Sequence, residues 1–117
     1  MMPCPECGTA GGHTIDCPTL GGGGVKHDAD KPRWSLLPWR AAEAIVRVLT
    51  FGARKYDDDN WRHVPDARRR YFDATMRHMV AWQRGDTADD ETGEHPLTHA
   101  ATCLMFIVEL EHEERNR

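Results

Sequence analysis

An all-α fold is predicted, from three observations. Apolar residues recur at three- and four-residue steps in three separate stretches. Proline, glycine and acidic segments punctuate those stretches, as helix starts and stops do. Nowhere do apolar and polar residues alternate in the way a half-buried strand requires. The expected architecture is a helical bundle built from three main helices, preceded by a small segment of different character. Seven of the ten glycines, three of the seven prolines and three of the four cysteines fall in residues 1–24. The run Leu20-Gly21-Gly22-Gly23-Gly24 reads as a linker, because glycine loses the most conformational entropy on ordering. The chain is therefore divided into an N-terminal segment with its linker, 1–24, and a helical domain, 25–117.

The domain opens on Lys26-His27-Asp28-Ala29-Asp30-Lys31-Pro32, polar and without helical period. Pro32 and Pro38 keep this entry extended, since proline restricts the residue before it. The first helix is expected from Pro38, whose missing N–H costs nothing in a first turn, with Trp39, Ala42, Ile45, Val46 and Leu49 as its apolar stripe and Gly52 near its stop. Residues 56–66 read as a loop, with Pro65-Asp66 preparing a second helix over 67–84 that buries Phe72, Met76, Met79 and Val80. Gly85 ends it. An acidic turn follows, and a third helix is expected from His95-Pro96 to about residue 113. Its apolar middle, 100–108, marks it as the central helix of the bundle or as an oligomer interface.

Size and charge narrow the function classes. At 117 residues one domain plus an appendage is expected. No apolar run reaches the roughly 18–20 residues that span a bilayer, and no basic-then-apolar leader opens the chain. No membrane partner is expected, and the expected location is cytoplasmic. With 15 Lys and Arg against 19 Asp and Glu, a protein that mainly coats duplex DNA is disfavoured.

Cys4-x2-Cys7-x5-His13-x3-Cys17 offers four soft ligands in a short span, a spacing similar to a CCHC zinc knuckle. Structural Zn²⁺ would give so short and glycine-rich a segment the free energy to fold. A disordered tail and a disulfide are the competing readings, and the absence of a secretion signal weakens the second. Cys103, inside the apolar third helix, reads as a small buried hydrophobe.

The second informative stretch runs from Asp86 to His99. Asp86, Asp89, Asp90, Glu91 and Glu94 are five carboxylates within nine residues, oxygen ligands of the kind magnesium and manganese prefer. His95 and His99 lie four apart, on one helical face just after them. His78, with Tyr71 and Trp82 at helical spacing, is expected to face the same space. A solvated acidic run at a helix start, complementing the helix dipole, is the plainer alternative. Lys26, Lys31, Lys55 and Arg77 are phosphate-binding candidates, each of them also readable as an ordinary surface charge. Trp34 and Trp61 flank polar loops, where they would either stack on a base or pack in the core.

Taken together, these residues resemble the phage dATP/dGTP diphosphohydrolases, relatives of the MazG-like all-α nucleoside triphosphate pyrophosphohydrolases. The resemblance rests on Lys26-His27-Asp28-Ala29-Asp30-Lys31-Pro32-Arg33-Trp34, Leu37-Pro38-Trp39, Phe51-Gly52-Ala53-Arg54-Lys55-Tyr56, Asn60-Trp61, Arg77-His78, Asp90 through His95, and His99-Ala100. It covers about residues 25–111 and leaves the cysteine segment outside. It implies Mg²⁺- or Mn²⁺-dependent cleavage of a purine (deoxy)nucleoside triphosphate between its α and β phosphates, giving the monophosphate and pyrophosphate. A homo-oligomer working in the host-cell cytoplasm is implied as well. MazG-like enzymes hold metal with paired E-x-x-E and E-x-x-D motifs on two helices. Here Glu91-x-x-Glu94 falls in a loop, and no second pair is evident.

On this reading Glu91 is a metal ligand and water activator, supported by Asp90 and Glu94 as ligands. His78, His95 and His99 orient ligands or contact phosphate. Lys26, Lys31, Lys55 and Arg77 neutralise the polyphosphate, and Asp28, Asn60 and Trp61 recognise sugar or base. The alternative is a zinc-containing helical module that binds single-stranded nucleic acid or a protein. Residues 1–24 hold no Lys, Arg or aromatic residue, so nucleic acid is the less favoured partner. A helical assembly protein without catalysis is the third reading.

Overall fold

Three helices and two single 3-10 turns make up the regular structure of residues 23–116, the part of the chain that the computed structural model describes. Among these residues there is no strand, in agreement with the all-α expectation. The chain divides into two compact units after Leu36. In the described part of the first unit, a turn closed by Lys31 N–H on the Asp28 carbonyl at 3.0 Å precedes a 3-10 turn at Trp34–Leu36. The expected zinc-knuckle-like segment, with Cys4, Cys7, His13 and Cys17, lies outside the described residues.

The second unit holds helix α1 (Trp39–Lys55), a 3-10 turn at Asn60–His63, helix α2 (Ala67–Gln83) and helix α3 (Pro96–Arg115). Pro38 stands just outside α1 as its extended N-cap rather than inside its first turn. The helix also runs past Gly52 to Lys55, and the Tyr56 amide closes the last turn on the Gly52 carbonyl. Gly85 ends α2 at φ 103, a left-handed conformation that a side chain would strain. His95 caps α3 through its own ring, Nδ1 accepting the Leu97 amide at 3.0 Å, and Pro96 follows in the first turn.

Helix α3 packs against both α1 and α2, with the α2 face the larger, which bears out its central position. Small residues make this possible: Ala44, Ala100 and Cys103 are the buried apolar residues among those described. Thr75 and Thr102, also buried, return their hydroxyls to the Tyr71 and Thr98 carbonyls of their own helices. The expectation that α2 buries Phe72, Met76, Met79 and Val80 is corrected, since these are 56, 47, 39 and 50 % exposed. The face turned to α3 instead carries Tyr71, Thr75 and His78, smaller or more polar than the stripe the periodicity picked out. Leu104, Met105 and Val108 of α3 and Val46 of α1 are likewise exposed. None of the described helices is long and apolar enough to cross a membrane.

Candidate active site

The C-terminal half of α1, the loop and 3-10 turn that follow, α2, the α2–α3 loop and α3 enclose a cavity of about 790 Å³. That volume lies in the ~300–1,000 Å³ range of small-molecule sites. Each wall contributes chemistry. Lys55 comes from the end of α1, Asp57, Asp58 and Asp59 from the loop, and Asn60, Trp61 and Arg62 from the 3-10 turn. Tyr71 and His78 project from α2, Asp89, Glu91 and Thr92 from the acidic loop, and His99, Phe106 and Glu109 from α3.

The acidic loop is built rather than loose. One carboxylate oxygen of Asp89 accepts the Glu91 and Thr92 amides, both at 3.0 Å. The Gly93 amide bonds the Asp89 carbonyl and the Asp89 amide the Glu94 carbonyl, each at 2.8 Å, with Gly93 at φ 76 turning the chain back. Partial burial raises the pKa of Asp89, but the Thr92 and Glu91 amides outweigh it and hold the carboxylate below its ordinary value. The turn sets Glu91 against Lys55, Nζ to Oε1 at 2.7 Å, and this hydrogen bond raises the lysine pKa. Glu94, three residues on, bonds Arg47 of α1 through both oxygens at 2.6 and 3.2 Å. That bond lowers the Glu94 pKa.

His78 and His99 stack, with ring centroids 4.7 Å apart and planes 19° from parallel. Nε2 of His99 lies 2.6 Å from the Thr92 hydroxyl and 3.8 Å from Asp89. Burial, with His99 and Arg77 adding to it and Asp89 opposing, lowers the pKa of His78 and favours the neutral ring. Farther along α3, Phe106 stacks on Trp61 at 4.4 Å and meets Tyr71 edge-on at 5.1 Å. The Arg62 guanidinium lies 4.3 Å from the Trp61 centroid and is itself ion-paired to Glu113. Protein groups therefore already engage the indole.

Of the residues singled out from the sequence, Glu91, Lys55, His78, His99, Asn60 and Trp61 share this cavity. Asp90 is exposed in the same turn and does not line it. His95 serves as the α3 cap, Arg77 is exposed on α2, and Glu94 lines a separate hollow with Arg47 and Arg54. Lys26, Asp28 and Lys31 belong to the first unit, where they are exposed. Asp89, counted in the sequence only as one of the acidic run, also lines the cavity, as do Thr92, Glu109 and Asp57–Asp59, which were not singled out from the sequence. Glu109 was within reach of helical spacing, ten residues after His99 and three after Phe106 on one face. An aspartate three residues before a threonine and four before a glycine is a turn signal that points to Asp89.

Among the described residues no three His, Cys, Asp or Glu side chains converge closely enough to hold an ion. Magnesium commonly uses one or two carboxylates together with substrate phosphates and water.

The family described as dATP/dGTP diphosphohydrolase, N-terminal, matches residues 21–117. A dATP/dGTP diphosphohydrolase from Salmonella phage PMBT28 is 40 % identical over 84 residues, which are 72 % of this chain and 28 % of that protein. The chain thus spans little more than a quarter of this relative's length. No solved structure matches. A built acidic turn, a paired lysine and a histidine stack around one cavity are, by these comparisons, features of a chain that belongs to the dATP/dGTP diphosphohydrolase N-terminal family.

Proposed function

We propose that this chain hydrolyses purine deoxynucleoside triphosphates, dATP and dGTP, between the α and β phosphates, releasing the monophosphate and pyrophosphate. The observation that carries the reading is the cavity, in which Glu91, Lys55 and the His78–His99 stack meet in a chain of this family. Water must attack the α-phosphorus while pyrophosphate leaves, so the site has to orient a water and neutralise growing negative charge. Lys55, released from Glu91 when substrate enters, supplies a point charge to the phosphates. Glu91 then activates the water, and the histidines position it. Asn60, on the cavity wall, reads sugar or base.

Mg²⁺ or Mn²⁺ would be held by Glu91 together with phosphate oxygens and water. Asp90 and Glu94, expected as further ligands, do not line the cavity, and Glu94 is engaged by Arg47. When bound, the ion neutralises charge on the phosphates. Cys4, Cys7, His13 and Cys17 are proposed to bind one structural Zn²⁺, on the strength of their spacing. The exposed apolar faces of α2 and α3 support a homo-oligomer. The nucleotide pool of the host cytoplasm is the expected place of action.

The test is incubation of the protein with each dNTP and NTP in Mg²⁺ or Mn²⁺, followed by chromatography of the products. Monophosphate plus pyrophosphate from purine deoxynucleotides is the expected result. Absence of turnover by folded protein would overturn the reading and favour a binding module.

A further inference from the structure

The Thr92 hydroxyl sits among three partners, and their chemistry decides where its single proton points. It accepts the Glu94 amide at 3.1 Å, lies 2.6 Å from Nε2 of His99, and lies 3.4 Å from the Asp89 oxygen that also holds the Glu91 and Thr92 amides. A hydroxyl has one proton and two lone pairs, and an ionised carboxylate only accepts. If Thr92 donated to His99, its remaining lone pair and the Asp89 carboxylate would face each other, and the Nε2 lone pair would lie 3.8 Å from the same negative oxygen. If His99 donates instead, every group is served: Nε2–H to Thr92, Thr92 O–H to Asp89, and the Glu94 amide to the second lone pair. The second wiring is electrostatically consistent at each link.

A neutral imidazole with its proton on Nε2 has its one lone pair on Nδ1. Nδ1 of His99 has no side-chain or backbone partner among the described residues, and no buried side-chain nitrogen or oxygen there lacks one. This nitrogen is therefore not sealed in packing, and His99 is one of the residues that line the cavity. His78, stacked on the ring face, restrains its tilt.

We propose that Thr92 is a positioning residue, relaying Asp89 to His99 so that His99 is held as the Nε2–H tautomer with Nδ1 free to accept a hydrogen bond from the attacking water. This rests on the hydrolytic reading above. Thr92 acts through His99, and so the loop that sets Glu91 also fixes the tautomer of His99.

Long-range ¹H–¹⁵N correlation spectra of the histidine rings test it without substrate. They are recorded across a pH series into the alkaline range, with His99 assigned by comparison with His99→Gln. The wild type should show the Nε2–H pattern for His99. Thr92→Val, close in shape but without the hydroxyl, should lose that pattern, and Thr92→Ser should restore it. In the hydrolysis assay Thr92→Val should lower kcat by roughly 10–100-fold with KM little changed, and Thr92→Ser should recover most of it. An Nδ1–H wild type, or a tautomer indifferent to Thr92→Val, would overturn the relay. A changed tautomer with unchanged kcat would overturn the positioning role. Absence of hydrolysis by the wild type would remove the function proposed above, while the spectra still decide the relay.

Discussion

Glu91 and Lys55 are each about half exposed and face each other across the cavity wall. An exposed pair of this kind contributes little to folding, so its value lies in keeping two reactive charges in one place. Glu91→Gln is expected to lower pyrophosphate release by at least about 10²-fold, the usual weight of a general base, with an unchanged circular dichroism spectrum. Normal turnover by that variant would remove Glu91 from the mechanism. His78 supplies a pH signature. Burial depresses its pKa below the ordinary 6.5, so below 6.5 the unfolded chain takes up the proton more readily than the folded one. The stability this group contributes is complete above 6.5 and is lost as pH falls through its lower folded value. The melting temperature should therefore drop on acidification from pH 7.5 toward 5, and His78→Gln should flatten that slope. Asp89 and Glu94, whose pKa values are lowered from 3.8 and 4.5, contribute stability that is present above those values and is lost as pH falls below them.

At the scale of elements, the helix ends follow local chemistry. Gly85 and the His95-Pro96 pair stop and start helices where backbone rules require. Chain order alone exposes them because caps involve near neighbours. His95→Ala removes the ring that accepts the Leu97 amide and should cost about 0.5–2 kcal/mol in chemical denaturation, with His95→Asn costing less. Gly85→Ala forces a Cβ into a left-handed conformation and should cost about 1 kcal/mol. The acidic loop was legible as acidic but not as ordered. Its order comes from Asp89, which gathers two amides and approaches the Thr92 hydroxyl three residues on and the His99 ring ten residues on. No periodicity announces such a knot of hydrogen bonds.

For the whole molecule, the decisive fact is how little apolar surface the described fold hides. Ala44, Ala100 and Cys103 are small, while Phe72, Met76 and Val80 on α2 and Leu104, Met105 and Val108 on α3 remain about half exposed. Patches of this kind mark interaction surfaces, which is the support for the proposed homo-oligomer. Sedimentation should give a mass above that of one chain. A Phe72→Glu, Met76→Glu variant should shift it toward the 13.3 kDa monomer and lower the melting temperature in a concentration-dependent manner. A monomeric wild type would contradict this.

The helical class, the three helices and their approximate ends were all readable from the chain, since each depends on neighbours within a few residues. Glu91, Lys55, His78 and His99 could also be picked out as candidates, because those residue types stand out by their chemistry, and the structure places all four on one cavity. Tertiary packing alone decided which face of α2 meets α3. Periodicity shows that a stripe is apolar, not whether this chain or another surface covers it. Packing also brought Asn60, Trp61, Phe106 and Glu109 to the wall of one cavity, and it turned Thr92 from a loop residue into the partner of His99. Contacts between distant segments depend on three-dimensional closure, which no local pattern encodes.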